Sequence, residues 1–197
     1  IPLRVIDDVG TGAYAVAESI KINDNLYARK SIALPRYNSR RIKETIQNEV
    51  SIIRMLAHPH IVQIYCTYEK RSRFCIVLQP LADCDLEAFL EQPHGYDTHE
   101  YRDLMWRWLR CLPSTLAFIH SKGIRHKDIK SRNILVKGGE IIFADFGSSY
   151  AMIDEGTSVT DGPSFGHTRL YCAPEVITNN QRRRSADIFS LGCIFTE

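Results

Sequence analysis

The chain has 197 residues, with 25 lysines and arginines against 23 aspartates and glutamates, a formal charge of +2 with neutral histidines. That balance excludes a polyanion-coating protein and an acidic disordered tail, and 44% hydrophobic with 24% charged residues is the mixture of a globular chain with a sizeable core. No apolar run reaches the roughly 18 residues of a membrane span, and Ile1-Pro2-Leu3-Arg4-Val5 lacks the basic-then-apolar layout of a secretory signal, so the expectation is a soluble protein of the cytoplasm or nucleus.

Leu3 to Val9, Ala15 to Ile22 and Leu26 to Ile32 read as short strands, with Asn23-Asp24-Asn25 as turn chemistry between the last two, a meander over residues 3–34. From about Ser39 the period changes. Ile42, Ile46, Val50, Ile53 and Leu56 recur at steps of three and four, an amphipathic helix that stops near His58-Pro59. Glu49 falls along that apolar stripe, where a carboxylate calls for a partner. Ile61 to Thr67 and Phe74 to Leu78 read as strands, and Gln79-Pro80-Leu81-Ala82 as an irregular connector. Beyond it Leu104, Trp108, Cys111, Thr115 and Ile119 trace a long helix, kinked or locally opened by Pro113. A strand over Glu140 to Ala144 and an apolar helix from near Ser185 follow, so two regions of different character meet near residue 80. The six cysteines, Cys66, Cys75, Cys84, Cys111, Cys172 and Cys193, show no C-x-x-C pair and read as buried, reduced thiols and not as zinc ligands.

Several segments carry chemistry. Gly10-Thr11-Gly12-Ala13-Tyr14-Ala15 lies between two strands, where glycine lets the backbone fold over a phosphate; taken alone it reads equally as a hairpin turn. Lys30, in Tyr27-Ala28-Arg29-Lys30, is a strand lysine of the kind that ordinarily reaches solvent. With inward Glu49 at helix distance, the two would satisfy each other, and the ammonium could also hold phosphate oxygens of a nucleotide. In Ile124-Arg125-His126-Lys127-Asp128-Ile129-Lys130-Ser131-Arg132-Asn133 the five-residue step from Asp128 to Asn133 suits a carboxylate that accepts a proton and an amide that holds a metal. Asp145-Phe146-Gly147, at the end of a strand, offers oxygen to a hard dication.

With Thr168-Arg169-Leu170-Tyr171-Cys172-Ala173-Pro174-Glu175 and Asp187-Ile188-Phe189-Ser190-Leu191-Gly192, the chain resembles the eukaryotic protein kinase family, serine/threonine type, over essentially all 197 residues: seven motifs stand in family order. The resemblance implies an α+β, two-lobed fold with a small antiparallel-sheet N-lobe (about 1–79), a hinge (about 79–83) and a mostly helical, incomplete C-lobe (about 84–197). It implies transfer of the γ-phosphate of Mg-ATP to serine or threonine hydroxyls of a protein substrate, with no nucleic acid and no membrane span. Lys30 would hold the α- and β-phosphates and pair with Glu49. Asp128 would accept the hydroxyl proton, Lys130 would neutralise the transferring group, and Asn133 and Asp145 would hold magnesium. Residues 10–15 would cover the phosphates, with Ala28 and Leu78 lining the adenine pocket. Gln79 and Leu81 would offer backbone to the base, Leu81 or a neighbour supplying the donor because Pro80 has no N–H. Asp85 would lie near the ribose or the substrate, and Asp187 would brace the catalytic loop. Lys130 and Thr168 both point to serine/threonine substrates.

The sequence departs from the family at four places. Ala15 replaces the third loop glycine, and Ala17 replaces the valine that packs on adenine, removing apolar contact with the base. Lys127 replaces the arginine that reads loop phosphorylation through a bidentate fork, which bears on any regulation through Ser158, Thr160 or Ser164. The chain stops at Glu197 inside an apolar helix, so Leu191, Ile194 and Phe195 are expected to be partly bare, as in a fragment, a shortened gene model or a protein with a partner over that face. These features carry the alternative, a non-catalytic kinase-like binding or scaffold module. Arg182-Arg183-Arg184 reads as a solvated run.

Overall fold

The computed structural model describes residues 4–11, 15–35, 39–92, 95–151, 169–179 and 183–197, with backbone alone for 4–11, 39, 150, 169 and 179. Strands β1 (Arg4–Thr11), β2 (Ala15–Ile22), β3 (Asn25–Ala33), β4 (Gln63–Lys70) and β5 (Arg73–Gln79) make one antiparallel sheet in the order β1-β2-β3-β5-β4. Asn23 and Asp24 turn the β2–β3 hairpin at φ 46 and 69, a left-handed region that Asn and Asp tolerate because their short polar side chains bond locally.

The pairing puts Ala17 opposite Lys30, Lys30 opposite Ile76 and Ala28 opposite Leu78. Because side chains alternate along a strand, these residues share one face. The helix α1 (Ser39–Met55) covers the outer part of that face, burying Ile46 and Val50 against Ile32 and Ile76. On the opposite face Ile20, Ile22, Tyr27 and Val77 form a second cluster.

Several strand boundaries differ from expectation by one to three residues, two of them for a visible reason. β1 runs on to Thr11, so Gly10 pairs with Ala17 and Thr11 with Val16 after a bulge. β4 begins at Gln63 and not at Ile61, because the preceding residues are taken by another strand: Phe143 N donates to His60 O at 2.9 Å and Val62 N to Phe143 O at 3.0 Å.

The rest of the chain builds β6 (Cys84–Asp85), α2 (Leu86–Glu91), α3 (Thr98–Ser121), β7 (Ile124–Arg125), β8 (Ile134–Lys137), β9 (Glu140–Phe143), β10 (Tyr150–Ala151), α4 (Pro174–Asn179) and α5 (Arg184–Ile194). A capping box starts α3: Asp97 accepts from His99 N and Glu100 N, and the Glu100 carboxylate accepts from Asp97 N. The expected opening at Pro113 does not interrupt it; Pro113 is exposed, so water can meet the carbonyl of Leu109, one turn back, that its missing N–H leaves behind. Leu104, Trp108, Leu112, Leu116 and Ile119 of α3 pack in one core with Ile52 and Ile53 of α1, Phe146, Leu191 and Ile194.

That core corrects two expectations. Leu191 and Ile194 are 4% and 5% exposed, because the last helix turns them onto α3 and Tyr171; the exposed large apolar residues of α5 are Ile188 and Phe189, and Phe195 just after it is exposed as expected. All six cysteines are free, yet Cys75 alone is buried and the others are partly accessible. Among the described residues no helix is long and apolar enough to cross a membrane.

Candidate active site

Lys30 sits in the middle of β3 on the face turned toward α1, and Glu49 projects from the buried stripe of α1, 4% exposed. The Lys30 ammonium donates to Glu49 Oε1 at 2.7 Å and to Asp145 Oδ1 at 2.8 Å. Burial works against that ammonium, but the two carboxylates outweigh it and hold Lys30 above its ordinary range. Lys30 in turn holds Asp145 below the usual carboxylate range, against the opposing pull of burial. Lys30 and Asp145 are therefore both charged near neutral pH.

Asp145 follows β9 with φ 58 and ψ 70, left-handed backbone that an L-residue adopts at some cost. The conformation turns Phe146 fully inward while the Asp145 carboxylate stays 47% accessible on the cleft side. His126 lies under this turn, its ring 4.7 Å from Phe146 and its Nε2 paired with Ala144 O at 3.1 Å.

The loop after β7 is held from two sides. Asp187 of α5, 2% exposed, accepts from His126 N at 2.9 Å, Lys127 N at 2.8 Å and His120 Nε2 at 2.9 Å. Lys127 takes φ 67 there, in the left-handed region. Asn133, in a short 3-10 turn over Ser131–Asn133, donates through Nδ2 to Asp128 O at 2.7 Å and Asp128 Oδ2 at 2.9 Å. Lys130 Nζ donates to the same Oδ2 at 2.8 Å. Asp128 Oδ1 takes no hydrogen bond from the described residues, so it is the atom left for an incoming donor.

With Nδ2 committed to Asp128, Asn133 turns Oδ1 to the opposite side, and Asp145 has one oxygen beyond the one on Lys30. Among the described residues no three His, Cys, Asp or Glu side chains converge on a metal position. Two oxygens from Asn133 and Asp145 are a partial set that fits magnesium, which keeps waters and phosphate oxygens as its remaining ligands. Small Ala17 and Ala28 next to half-buried Leu78 leave a shallow apolar floor on the same sheet face as Lys30.

The structure thus brings together Lys30, Glu49 and Asp145, and separately Asp128, Lys130 and Asn133. Gln79 ends β5 and Leu81 lies in the connector beyond it. Gly10 and Thr11 are placed by backbone alone and Ala15 opens β2, while Gly12, Ala13, Tyr14, Ser158, Thr160, Ser164, Thr168 and Arg182 lie outside the described residues. Asp85 carries a task the sequence did not suggest: its Oδ1 caps α2, accepting from Ala88 N at 2.8 Å. Glu175 accepts from Ser185 Oγ at 3.2 Å.

Sequence reasoning missed His120 as a partner of Asp187, though it sits four residues after Leu116 on the buried stripe of α3, the same signal that exposed Glu49. It also missed buried Ser131, whose hydroxyl meets Tyr171 OH at 2.8 Å while Tyr171 donates to Glu197.

The Protein kinase domain family matches residues 3–197. A calcium/calmodulin-dependent protein kinase type 1 of Macrobrachium nipponense is 26% identical over 95% of this chain and 53% of its own length. The serine/threonine-protein kinase cds1 of Schizosaccharomyces pombe is 30% identical over 97% of this chain and 43% of its own. For the mouse serine/threonine-protein kinase Nek5 the figures are 31%, 79% and 24%. The chain spans about half the length, or less, of these curated relatives. Its sheet-and-helix architecture, its charged cleft and a match over nearly every residue agree, and the chain belongs to the protein kinase domain family.

Proposed function

We propose that this chain transfers the terminal phosphoryl group of ATP to serine or threonine hydroxyls of protein substrates. The observation that carries the reading is the closed arrangement of Lys30 on both Glu49 and Asp145, together with an Asp128 whose Oδ2 is held by Lys130 and Asn133. Magnesium, when bound with the nucleotide, supplies positive charge to the phosphate oxygens. Lys30 positions the α- and β-phosphates, and Glu49 keeps its ammonium in place. Asn133 Oδ1 and Asp145 would hold the cation, and residues 10–15 are assigned to the phosphates. Ala28 and Leu78 contact the base, the Gln79 carbonyl and Leu81 N–H serve its polar edge, and Asp85 stands at the rim near the sugar.

Asp128 orients the hydroxyl and takes its proton as the hydroxyl oxygen bonds to phosphorus and the bond to the ADP oxygen breaks. Lys130 offsets the charge on the group in transit. A lysine two residues after Asp128 supports a serine or threonine acceptor over tyrosine. In this reading residues 1–79 form the N-lobe, 79–83 the hinge and 84–197 the C-lobe, with the protein substrate as the partner and the cytoplasm or nucleus as the setting.

The test is incubation with γ-labelled ATP, magnesium and a library of serine-, threonine- and tyrosine-containing peptides. Label on serine or threonine is expected; ATP binding with no transfer to any hydroxyl would overturn the reading and leave a binding module.

Magnesium should bind tightly only with nucleotide, since two oxygens from the protein are too few for a high-affinity site. Calorimetry of the chain alone should therefore show weak heats with magnesium, rising when a non-hydrolysable ATP analogue is present. Tight binding without nucleotide would refute the assignment of Asn133 and Asp145.

A further inference from the structure

Helix α1 contributes two neighbouring residues to long-range contacts, and only Glu49 has a task so far. Asn48, one position earlier, donates through Nδ2 to Ser149 O at 3.0 Å, across 101 residues of sequence. Ser149 is itself fixed on both sides. Its N–H donates to Phe146 O at 3.0 Å, and its buried hydroxyl donates to His126 O at 3.0 Å. His126 N is in turn held by Asp187. Asn48 thus grips a carbonyl that is rigidly tied to the Asp145-Phe146-Gly147 turn and to the loop bearing Asp128.

The helix has few other polar ties near the site. Lys43 to Glu69 links it to β4, but both side chains are largely solvated and such pairs hold weakly. Packing of Ile46, Val50 and Ile53 fixes the depth of the helix, while apolar contacts are non-directional and define its rotation less sharply. A hydrogen bond one residue from Glu49 defines that rotation.

We propose that Asn48 is a positioning residue of the phosphotransfer site: it sets the rotation of α1 so that Glu49 meets Lys30. The inference rests on the kinase reading above. An amide suits the task because the acceptor is a carbonyl; a carboxylate in its place would offer oxygen to oxygen.

The experiment compares wild type, Asn48→Ala and Asn48→Asp, each also in a Glu49→Gln background. It reads kcat and KM for ATP, thermal midpoint, and hydrogen exchange of the α1 amides without nucleotide. Loss of one hydrogen bond predicts about a three- to tenfold fall in kcat/KM for ATP, larger for Asn48→Asp, with faster exchange around residues 46–53. In the Glu49→Gln background the Asn48 changes should add nothing, since the residue acts through Glu49. Wild-type kinetics in both variants would overturn the proposal, as would losses that multiply in the double variants or a lowered midpoint with unchanged kinetics. An inactive wild type defeats the kinase reading instead; unchanged amide exchange in Asn48→Ala then defeats this one separately.

Discussion

Asp128→Asn should lower kcat by about 10²- to 10⁴-fold, the range expected when a positioned proton acceptor is removed, while ATP affinity hardly changes. Among the described residues the carboxylate is held through Oδ2 alone. Lys130 and Asn133 both donate to Oδ2, which leaves Oδ1 as the oxygen that can meet a hydroxyl. An amide of the same shape can keep the oxygen toward Lys130 and then presents an NH₂ group to the substrate. That group donates where acceptance is required, so the hydroxyl is neither oriented nor deprotonated. None of the atoms assigned to the nucleotide moves, and the loss belongs to kcat.

Lys30→Met provides the contrast. It removes the phosphate contact and leaves buried Glu49 without its cation, so ATP binding and transfer fall together. Parallel ATP titrations and transfer assays separate the two cases. An Asp128→Asn protein that retains more than about a tenth of wild-type kcat would contradict a proton-accepting role, given the magnitude such groups supply.

What the sequence made legible follows from how local each signal is. Glu49 stood out because a carboxylate on an apolar stripe has few physical reasons to be there, and the structure shows it buried against Lys30. The helices α1 and α3 and most of the sheet were readable because their periods repeat over many residues. Short elements such as β6, α2 and β7 carry two to six residues each, too few for a period to emerge. The start of β4 was misplaced because Ile61 and Val62 are apolar enough for a strand, yet the pairing that captures residues 60–62 comes from Phe143, some 80 positions later in the chain.

The site shows the same division. The types and spacing of Asp128, Asn133 and Asp145 suggested a proton acceptor and a cation site, whereas the left-handed backbone at Lys127 left no mark in residue type. Asn48 and Ser149 are ordinary polar residues whose meaning exists only once the fold joins them. Apolar Leu191 and Ile194 looked bare because burial of a terminal helix depends on what lies beside it, here α3 and Tyr171.

The second large effect is expected at Asp187, which contacts neither the nucleotide nor the acceptor sites assigned above. Its two oxygens take three hydrogen bonds, from the backbone N–H groups of His126 and Lys127 and from the His120 ring. The His120 and His126 bonds are buried and the Lys127 bond is half-buried; a donor orphaned in the interior costs roughly 1–3 kcal/mol. Asp187→Ala strands all three and opens a small cavity, so a loss of about 3–5 kcal/mol is expected from the orphaned donors together. For a chain of this size that lowers the thermal midpoint by about 2–4 °C per kcal/mol, on the order of 6–20 °C in total. Asp187→Asn should lose less, because its remaining oxygen serves one side while its NH₂ group opposes a backbone N–H on the other. Asp187 grips the N–H of Lys127, which occupies left-handed backbone, so either variant should also let Asp128 drift and lower kcat more than ATP affinity. Calorimetric melting alongside steady-state kinetics checks both parts. An Asp187→Ala protein that melts like wild type would show that the loop is held by other contacts, and full activity in it would show that the position of Asp128 does not depend on this carboxylate.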